Sequence, residues 1–345
     1  GDRFTKLHRR GSVKPEDIPT DDPAFYKHLG STQQLRGHAL DPDLLQHQRR
    51  GFNASKGPFQ LPRLIHQTVP DRKKLSCQQM QLMRSWRDKN PGYRHIIWDD
   101  NDIQRFVRTY YPRLRLMFEG FVKPVERADI FRYLVLHAKG GVYADTDVQC
   151  MEPVDTWNDV NRYDAAVLTG IEFNNKKEGF QLNNWVIAAM PRHVLMMRVI
   201  TEARDFITSH FFQLAKRGGS IHSSEYDKTI LARTGPKAWT RAVLFYIEAI
   251  LRHTTSRPLV ENHLYGDVRV VSVPWLSLSW GRDCNIAVKE WHASKHAPEE
   301  GRPLACHQFF GSWKGNSYQF QHDKVQSFEC KQEFEDSGPL DEDFM

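Results

Sequence analysis

The chain of 345 residues is long enough to bury one large core, and 40% hydrophobic with 26% charged residues is an ordinary globular composition. Its net charge of +6 is scattered, with no basic stripe interleaved with aromatics, so nucleic-acid binding is set aside. No apolar run approaches the ~18–20 residues of a membrane span.

The chain opens at Gly1 without a methionine, so an upstream anchor or signal is expected to have been removed. Residues 1–58 are rich in Pro, Gly, His and charge and read as a stem or arm, with one glycosylation sequon at Asn53. The pattern changes at Leu61-Pro62. Residues 63–68 read as a strand closed by Val69-Pro70-Asp71. Ser76 with Gln79 forms a capping box, and Leu82 with Trp86 marks a helix stopped by Asn90-Pro91-Gly92. A second strand spans Tyr93 to Trp98. Ile103, Phe106, Val107 and Tyr110 then spell a helix. Strand, helix, strand, helix is the pattern of a parallel α/β unit.

Residues 124–150 form the most informative stretch. Pro124 suits a first helical turn, and Ile130, Phe131, Leu134, Val135 and Ala138 make an apolar stripe. Gly140-Gly141 supplies a left-handed stop, and Val142-Tyr143-Ala144 is a short strand delivering Asp145-Thr146-Asp147. Residues two apart on a strand share a face, so both carboxylates are expected to converge on one cation. Hard oxygen donors at a strand's carboxyl end suit Mn²⁺ or Mg²⁺ carrying a diphosphate. The same spacing recurs at Asp41–Asp43, Asp100–Asp102 and Asp341–Asp343, read as a helix start, a loop and an acidic tail.

Further along, 164–169 and 184–189 read as strands, and Pro191 as the start of a helix to about His210. Residues 216–227 read as a mobile loop. Thr234-Gly235-Pro236 introduces a helix through Trp239 to Leu251; 268–273 and 305–310 read as strands, and 331–345 as an acidic tail. Five cysteines without CxxC spacing argue against structural zinc and allow one or two disulfides with one thiol left over. His292 and His296 have zinc-helix spacing, but Ala293 replaces the catalytic glutamate, so this reads as a polar loop. Asp129 and Arg132 share a helix face, either as a surface ion pair or as groups at a crevice rim. Nucleotide-cofactor, phosphate-loop and serine-elbow motifs are absent from the sequence.

The run ADIFRYLVLHAKGGVYADTDV, from Ala128, closely resembles the signature of glycosyltransferase family 32. The resemblance extends over about Leu61 to Lys314. It implies an α/β fold of the GT-A type, a Rossmann-like mixed sheet flanked by helices, occupying residues 59–330. It also implies a metal-dependent transfer that retains anomeric configuration. Asp145 and Asp147 would hold the metal of a nucleotide sugar, with His307 as a third ligand. Asp129 and Arg132 would contact the donor sugar. The strand ends His66, Gln67, Thr68 and Trp98, with Tyr143, would border the donor; His66 and Trp98 are equally readable as core residues. Asn184, in the segment beneath the donor sugar, would stabilise a developing oxocarbenium ion. Ser312, Trp313 and Lys314, in HQFFGSWK, would close over the diphosphate.

Within the family, TGPKAW, NWVIAAMPRH and HQFFGSWK resemble the fungal Golgi α-1,6-mannosyltransferases. That branch implies GDP-mannose with Mn²⁺ (or Mg²⁺), an N-glycan or glycoprotein acceptor, a Golgi-lumenal location and a type II anchor upstream. Family members that mannosylate inositol phosphorylceramide are the alternative within the class. A non-catalytic nucleotide-sugar or glycan-binding module is the alternative outside it.

Overall fold

The computed structural model describes residues 60–157, 165–175, 179–216, 229–250, 259, 262–276, 284–293 and 303–309. In chain order these form β1 (Leu64–Thr68), α1 (Cys77–Lys89), β2 (Arg94–Trp98), α2 (Asp100–Tyr110) and α3 (Arg115–Glu119). Then come α4 (Pro124–Lys139), β3 (Gly141–Ala144), β4 (Val148–Cys150), β5 (Val167–Asn175), β6 (Gly179–Leu182) and β7 (Val186–Ala189). The last are α5 (Val194–Lys216), α6 (Ile230–Arg233), α7 (Pro236–Phe245), β8 (His263–Tyr265), β9 (Val268–Val271), α8 (Val273–Leu276), α9 (Cys284–Ala293) and β10 (Ala305–His307). None of the described helices is long and apolar enough to cross a membrane. The expected stem (1–58), the 216–227 loop beyond Lys216, Ser312, Trp313, Lys314 and the tail lie outside the described residues.

The described chain divides into two compact units, the cuts falling within α2 after Phe106, within α4 after Leu134, and at 192/193 and 252/253. One unit holds all the strands. Its principal sheet runs β2-β1-β3-β7-β5-β9-β8, with β6 added to β5. β1 is parallel to β2 and β3, whereas β3 and β5 are antiparallel to β7. The expected mixed α/β sheet flanked by helices is therefore observed. β4 and β10 form a small antiparallel ribbon beside it. Ile65, Trp86, Val142, Val148, Trp185, Val186, Trp275 and Leu304 belong to one buried cluster that joins sheet and ribbon.

Local sequence explains the entry to the central strand. Ser76 and Gln79 close the capping box of α1 as read from the sequence. Gly140 (φ +68°) and Gly141 (φ +95°) adopt backbone that L side chains rarely enter. A Cβ on Gly140 would lie 2.6 Å from Pro191 Cδ, and one on Gly141 would lie 2.5 Å from Leu64 O. Side chains there would push apart the elements that place β3 in the sheet.

Several expectations are corrected. The helix assigned to Pro191 begins at Val194, because Pro191-Arg192 forms a turn with Arg192 at φ +62°. Asp100 and Asp102 lie in the first turn of α2, not in a loop, and Asp102 is buried between Arg72 and Arg105. Carboxylates in a first turn face the positive end of the helix dipole. His292 lies within α9 instead of a polar loop. β4, β6 and β8 were not anticipated.

The other unit is helical among its described residues. On α4, Glu126 and Arg233 of α6 are a fully buried pair, with Arg233 Nη2 and Nε at 2.7 and 2.8 Å from Glu126 Oε1. The second Glu126 oxygen accepts from Lys123 N at 3.2 Å, capping the helix that Pro124 opens. Two turns on, Tyr133 stacks on Trp239 of α7 (5.6 Å, 13°) and donates to Thr234 O at 3.1 Å.

Candidate active site

The Asp-x-Asp segment is a tight turn between β3 and β4, closed by Val148 N donating to Asp145 O at 3.1 Å. This corrects the expected cause of convergence: a reverse turn brings the carboxylates together, not strand alternation. Both are partly exposed, unlike the buried residues before them. With His307 they form a cluster in which one ligand atom from each lies within 4.8 Å of the others.

Each corner of the cluster is fixed from a different element. Asp145 N donates to Trp185 O at 2.9 Å, and Asp145 O accepts from Gln67 Nε2 at 3.1 Å. Asp147 O accepts from Gln308 N at 2.8 Å, and Asp147 Oδ1 lies 3.1 Å from His307 Nε2. His307 ends β10, directly opposite Val148 of β4, so its reach to Asp147 follows from the ribbon's register. Its ring stacks on Trp185 (4.5 Å, 9°) and meets Phe309 edge-on at 3.9 Å. Trp185 is anchored by Nε1 donating to Leu276 O at 3.0 Å. Two carboxylates and an imidazole are a donor set that Mn²⁺ accepts, and Mg²⁺ would rely on the carboxylates. The residues present therefore fit the divalent cation that the sequence implied.

The strand-end residues act mainly from behind the turn. His95 Nε2–H donates to Gln67 Oε1 at 2.8 Å, and Gln67 passes the constraint to the Asp145 carbonyl. His66 is fully buried; its Nδ1 accepts from Trp98 Nε1 at 3.2 Å, which leaves Nε2–H to donate to Gly140 O at 3.0 Å. Burial lowers its pKa to about 4, and burial, followed by the Arg87 charge, lowers that of His95 to about 3. Both rings are thus neutral in the fold. Trp98 is fully buried and edge-on to Phe106 at 5.2 Å, the core alternative of its two readings. Gln67 and Tyr143 are also fully buried, and Tyr143 OH lies 2.9 Å from Thr68 Oγ1, which is half-buried. Among His66, Gln67, Thr68, Trp98 and Tyr143, only Thr68 retains appreciable exposure.

Asn184 is buried in the short connection between β6 and β7, next to the Trp185 that holds two cluster residues. In the helical unit, Asp129 and Arg132 form an ion pair of 3.0 Å with both side chains buried. Burial replaces the surface-pair alternative. Thr234 Oγ1 donates to Asp129 Oδ2 at 2.9 Å. Asp129 is thereby oriented by the TGP segment, a role that the sequence did not assign to Thr234. Trp185 and His95 were also missed as site-builders; Trp185 stood in a segment singled out for its asparagines.

The cysteine count is resolved in the strand-bearing unit. Cys284 is bonded to Cys306, Cys77 is also disulfide-bonded, and Cys150 is a buried free thiol.

Comparison with known proteins bears out the resemblance. Residues 76–164 match the family model described as "Glycosyltransferase sugar-binding region containing DXD motif". An initiation-specific α-1,6-mannosyltransferase of Schizosaccharomyces pombe is 27% identical, covering 74% of this chain and 64% of that protein. Its Candida albicans counterpart is 29% identical over 58% and 56% of the two chains. Inositol phosphoceramide mannosyltransferase 2 of S. pombe is 35% identical over 62% and 54%. The chain thus spans less than two thirds of the length of each of these relatives.

Proposed function

From the premise that residues 76–164 are the sugar-binding region of a DXD glycosyltransferase, we propose that the protein is a metal-dependent retaining mannosyltransferase. On this reading it has the GT-A fold and moves mannose from GDP-mannose to an N-glycan core through an α-1,6 linkage, in the Golgi lumen. The observation that carries the proposal is the convergence of Asp145, Asp147 and His307, drawn from positions 160 residues apart.

Asp145 and Asp147 would supply hard oxygen ligands to the cation, and His307 would close the set through an imidazole nitrogen. A bound divalent cation neutralises charge that develops on a leaving diphosphate. Trp185 and Gln67 hold the turn rigid, so the ligands need little reorganisation during turnover. Arg132 holds a phosphate or sugar oxygen, and Asp129 accepts from sugar hydroxyls. Asn184 directs its carboxamide oxygen to the developing oxocarbenium centre. With no carboxylate nucleophile assigned, the acceptor attacks from the donor's leaving-group face, which retains configuration. Thr68 offers a polar contact to the nucleotide, and Ser312, Trp313 and Lys314 complete the diphosphate contacts.

The 35% identity to an inositol phosphoceramide mannosyltransferase favours a second reading, with the same site and a lipid acceptor. A thermal-shift panel of GDP-, UDP- and CMP-sugars with and without Mn²⁺ tests the donor. The expected result is stabilisation by GDP-mannose with Mn²⁺; a larger shift with a UDP-sugar would overturn the mannosyl assignment. Competition between an N-glycan core and inositol phosphoceramide then separates the acceptors.

A further inference from the structure

Cys306, the residue before His307, is bonded to Cys284 at the start of α9, and both cysteines are fully buried. β10 has three residues, and its ladder is with β4, in the register His307–Val148, Cys306–Gln149, Ala305–Cys150. A two-stranded ribbon so short is weakly held by its ladder alone. Successive strand side chains point to opposite faces, so Cys306 faces away from the side on which His307 meets Asp147 and Trp185. Sliding β10 by one residue would exchange the two faces and turn the imidazole away from Asp147. A bonded Cys306 cannot make that exchange without moving α9.

The two ends of β10 differ in how they are held. Upstream, Leu304 O accepts from Met151 N and Glu152 N at 2.9 and 3.2 Å, and Leu304 N donates to Trp275 O at 2.8 Å. Downstream, Gln308 N reaches Asp147 O, after which Phe309 adopts φ +54°, a conformation disfavoured for an aromatic residue. The covalent bond sits between these ends, one residue from the imidazole it must aim.

We infer that the Cys284–Cys306 disulfide is a positioning element for His307: it locks the register of β10, so that the three-ligand cation site is complete only in the oxidised chain. The inference rests on the reading of Asp145, Asp147 and His307 as a cation site. The sulfur atoms take no part in the chemistry.

The test is Mn²⁺ affinity without nucleotide, read from the paramagnetic resonance of free Mn²⁺. The proteins compared are wild type, Cys284→Ser/Cys306→Ser, His307→Ala and the triple variant. Opening the disulfide should weaken Mn²⁺ binding at least ~10-fold, as loss of a support for a metal ligand does. The triple variant should bind no more weakly than His307→Ala alone, because both changes act through one ligand. Losses that add would mean general loosening of the fold and would overturn the inference. Unchanged affinity in the folded Cys284→Ser/Cys306→Ser variant would do the same. A wild-type protein with no Mn²⁺ affinity would instead overturn the cation site itself, and with it the inference.

Should the serine variant fail to fold, the comparison passes to folded wild type and His307→Ala treated with a phosphine reductant. Cys77→Ser serves as the control for the other disulfide. Weakened binding in reduced wild type, without further loss in reduced His307→Ala, supports the register lock. Retained binding in reduced, folded wild type overturns it.

Discussion

The Trp185 indole lies flat on the His307 imidazole, with centroids 4.5 Å apart and planes within 9°. The same residue's carbonyl oxygen accepts the Asp145 amide at 2.9 Å. One tryptophan therefore sets both the ring of one proposed ligand and the backbone of another, and its indole N–H is itself tied to Leu276 O.

Trp185→Ala should cost ~3–5 kcal/mol of stability, because it empties a buried aromatic site. It should also weaken Mn²⁺ binding by freeing the imidazole. Trp185→Phe keeps an aromatic face but leaves the Leu276 carbonyl without its donor, at a cost of about 1–3 kcal/mol. Its Mn²⁺ affinity should lie between those of wild type and Trp185→Ala. Titration of Mn²⁺ alongside denaturant unfolding checks the ordering; equal affinities in all three would show that the stack does not aim the ring.

The buried Asp129–Arg132 pair makes a different demand. Arg132→Ala breaks the buried pair with Asp129 by removing one partner and should destabilise the fold by ~3–5 kcal/mol. If Arg132 also grips the donor through its planar fork, Arg132→Lys should lose nearly as much activity as Arg132→Ala while losing less stability. Thr234→Val removes the donor to Asp129 Oδ2 and should raise the KM for the sugar donor, whereas Thr234→Ser should restore it. Near-normal kinetics in Thr234→Val would place Asp129 outside donor binding.

Stability should fall in mild acid through two neutral histidines. His66 and His95 titrate at about 4 and about 3 in the fold, against 6.5 when unperturbed. Below 6.5 the unfolded chain takes up protons that the folded chain refuses, so their contribution is whole above that pH and declines as pH drops. Each histidine adds a slope of up to about 1.4 kcal/mol per pH unit until its folded pKa is reached. Denaturant midpoints at pH 7 and pH 4.5 measure the loss. His95→Gln, which retains a donor for Gln67, should make that loss smaller; an unchanged pH dependence would mean that His95 is not the titrating group.

Local devices were legible in the sequence because their cause lies within a few residues. The Ser76–Gln79 box, Pro124 at a helix start and the positive-φ glycines before β3 all occur where their chemistry requires. The Asp-x-Asp pair and His307 were legible through motif resemblance, and they do converge. What joins them was not legible. The β4–β10 register, the Trp185–His307 stack and the His95–Gln67–Asp145 chain link residues 28 to 160 positions apart. Such pairings depend on which strands become neighbours, and hydrophobic period does not encode that. His66 and Trp98 show the converse: strand-end residues chosen for their polarity or aromatic face are used inward, to brace β1 against β2 and Gly140.

The most direct test of mannosyl transfer at this turn is product formation from GDP-mannose and an N-glycan core, followed by mass spectrometry and proton NMR. With Mn²⁺ present, the expected product carries one added mannose in an α-1,6 linkage. A chelator should abolish it and re-added Mn²⁺ restore it. Asp145→Asn and Asp147→Asn should each lower turnover by at least ~10²-fold, the scale of losing a principal electrostatic stabiliser. Transfer undiminished by the chelator, or undiminished in both asparagine variants, would contradict the assignment of this turn as the metal-dependent site.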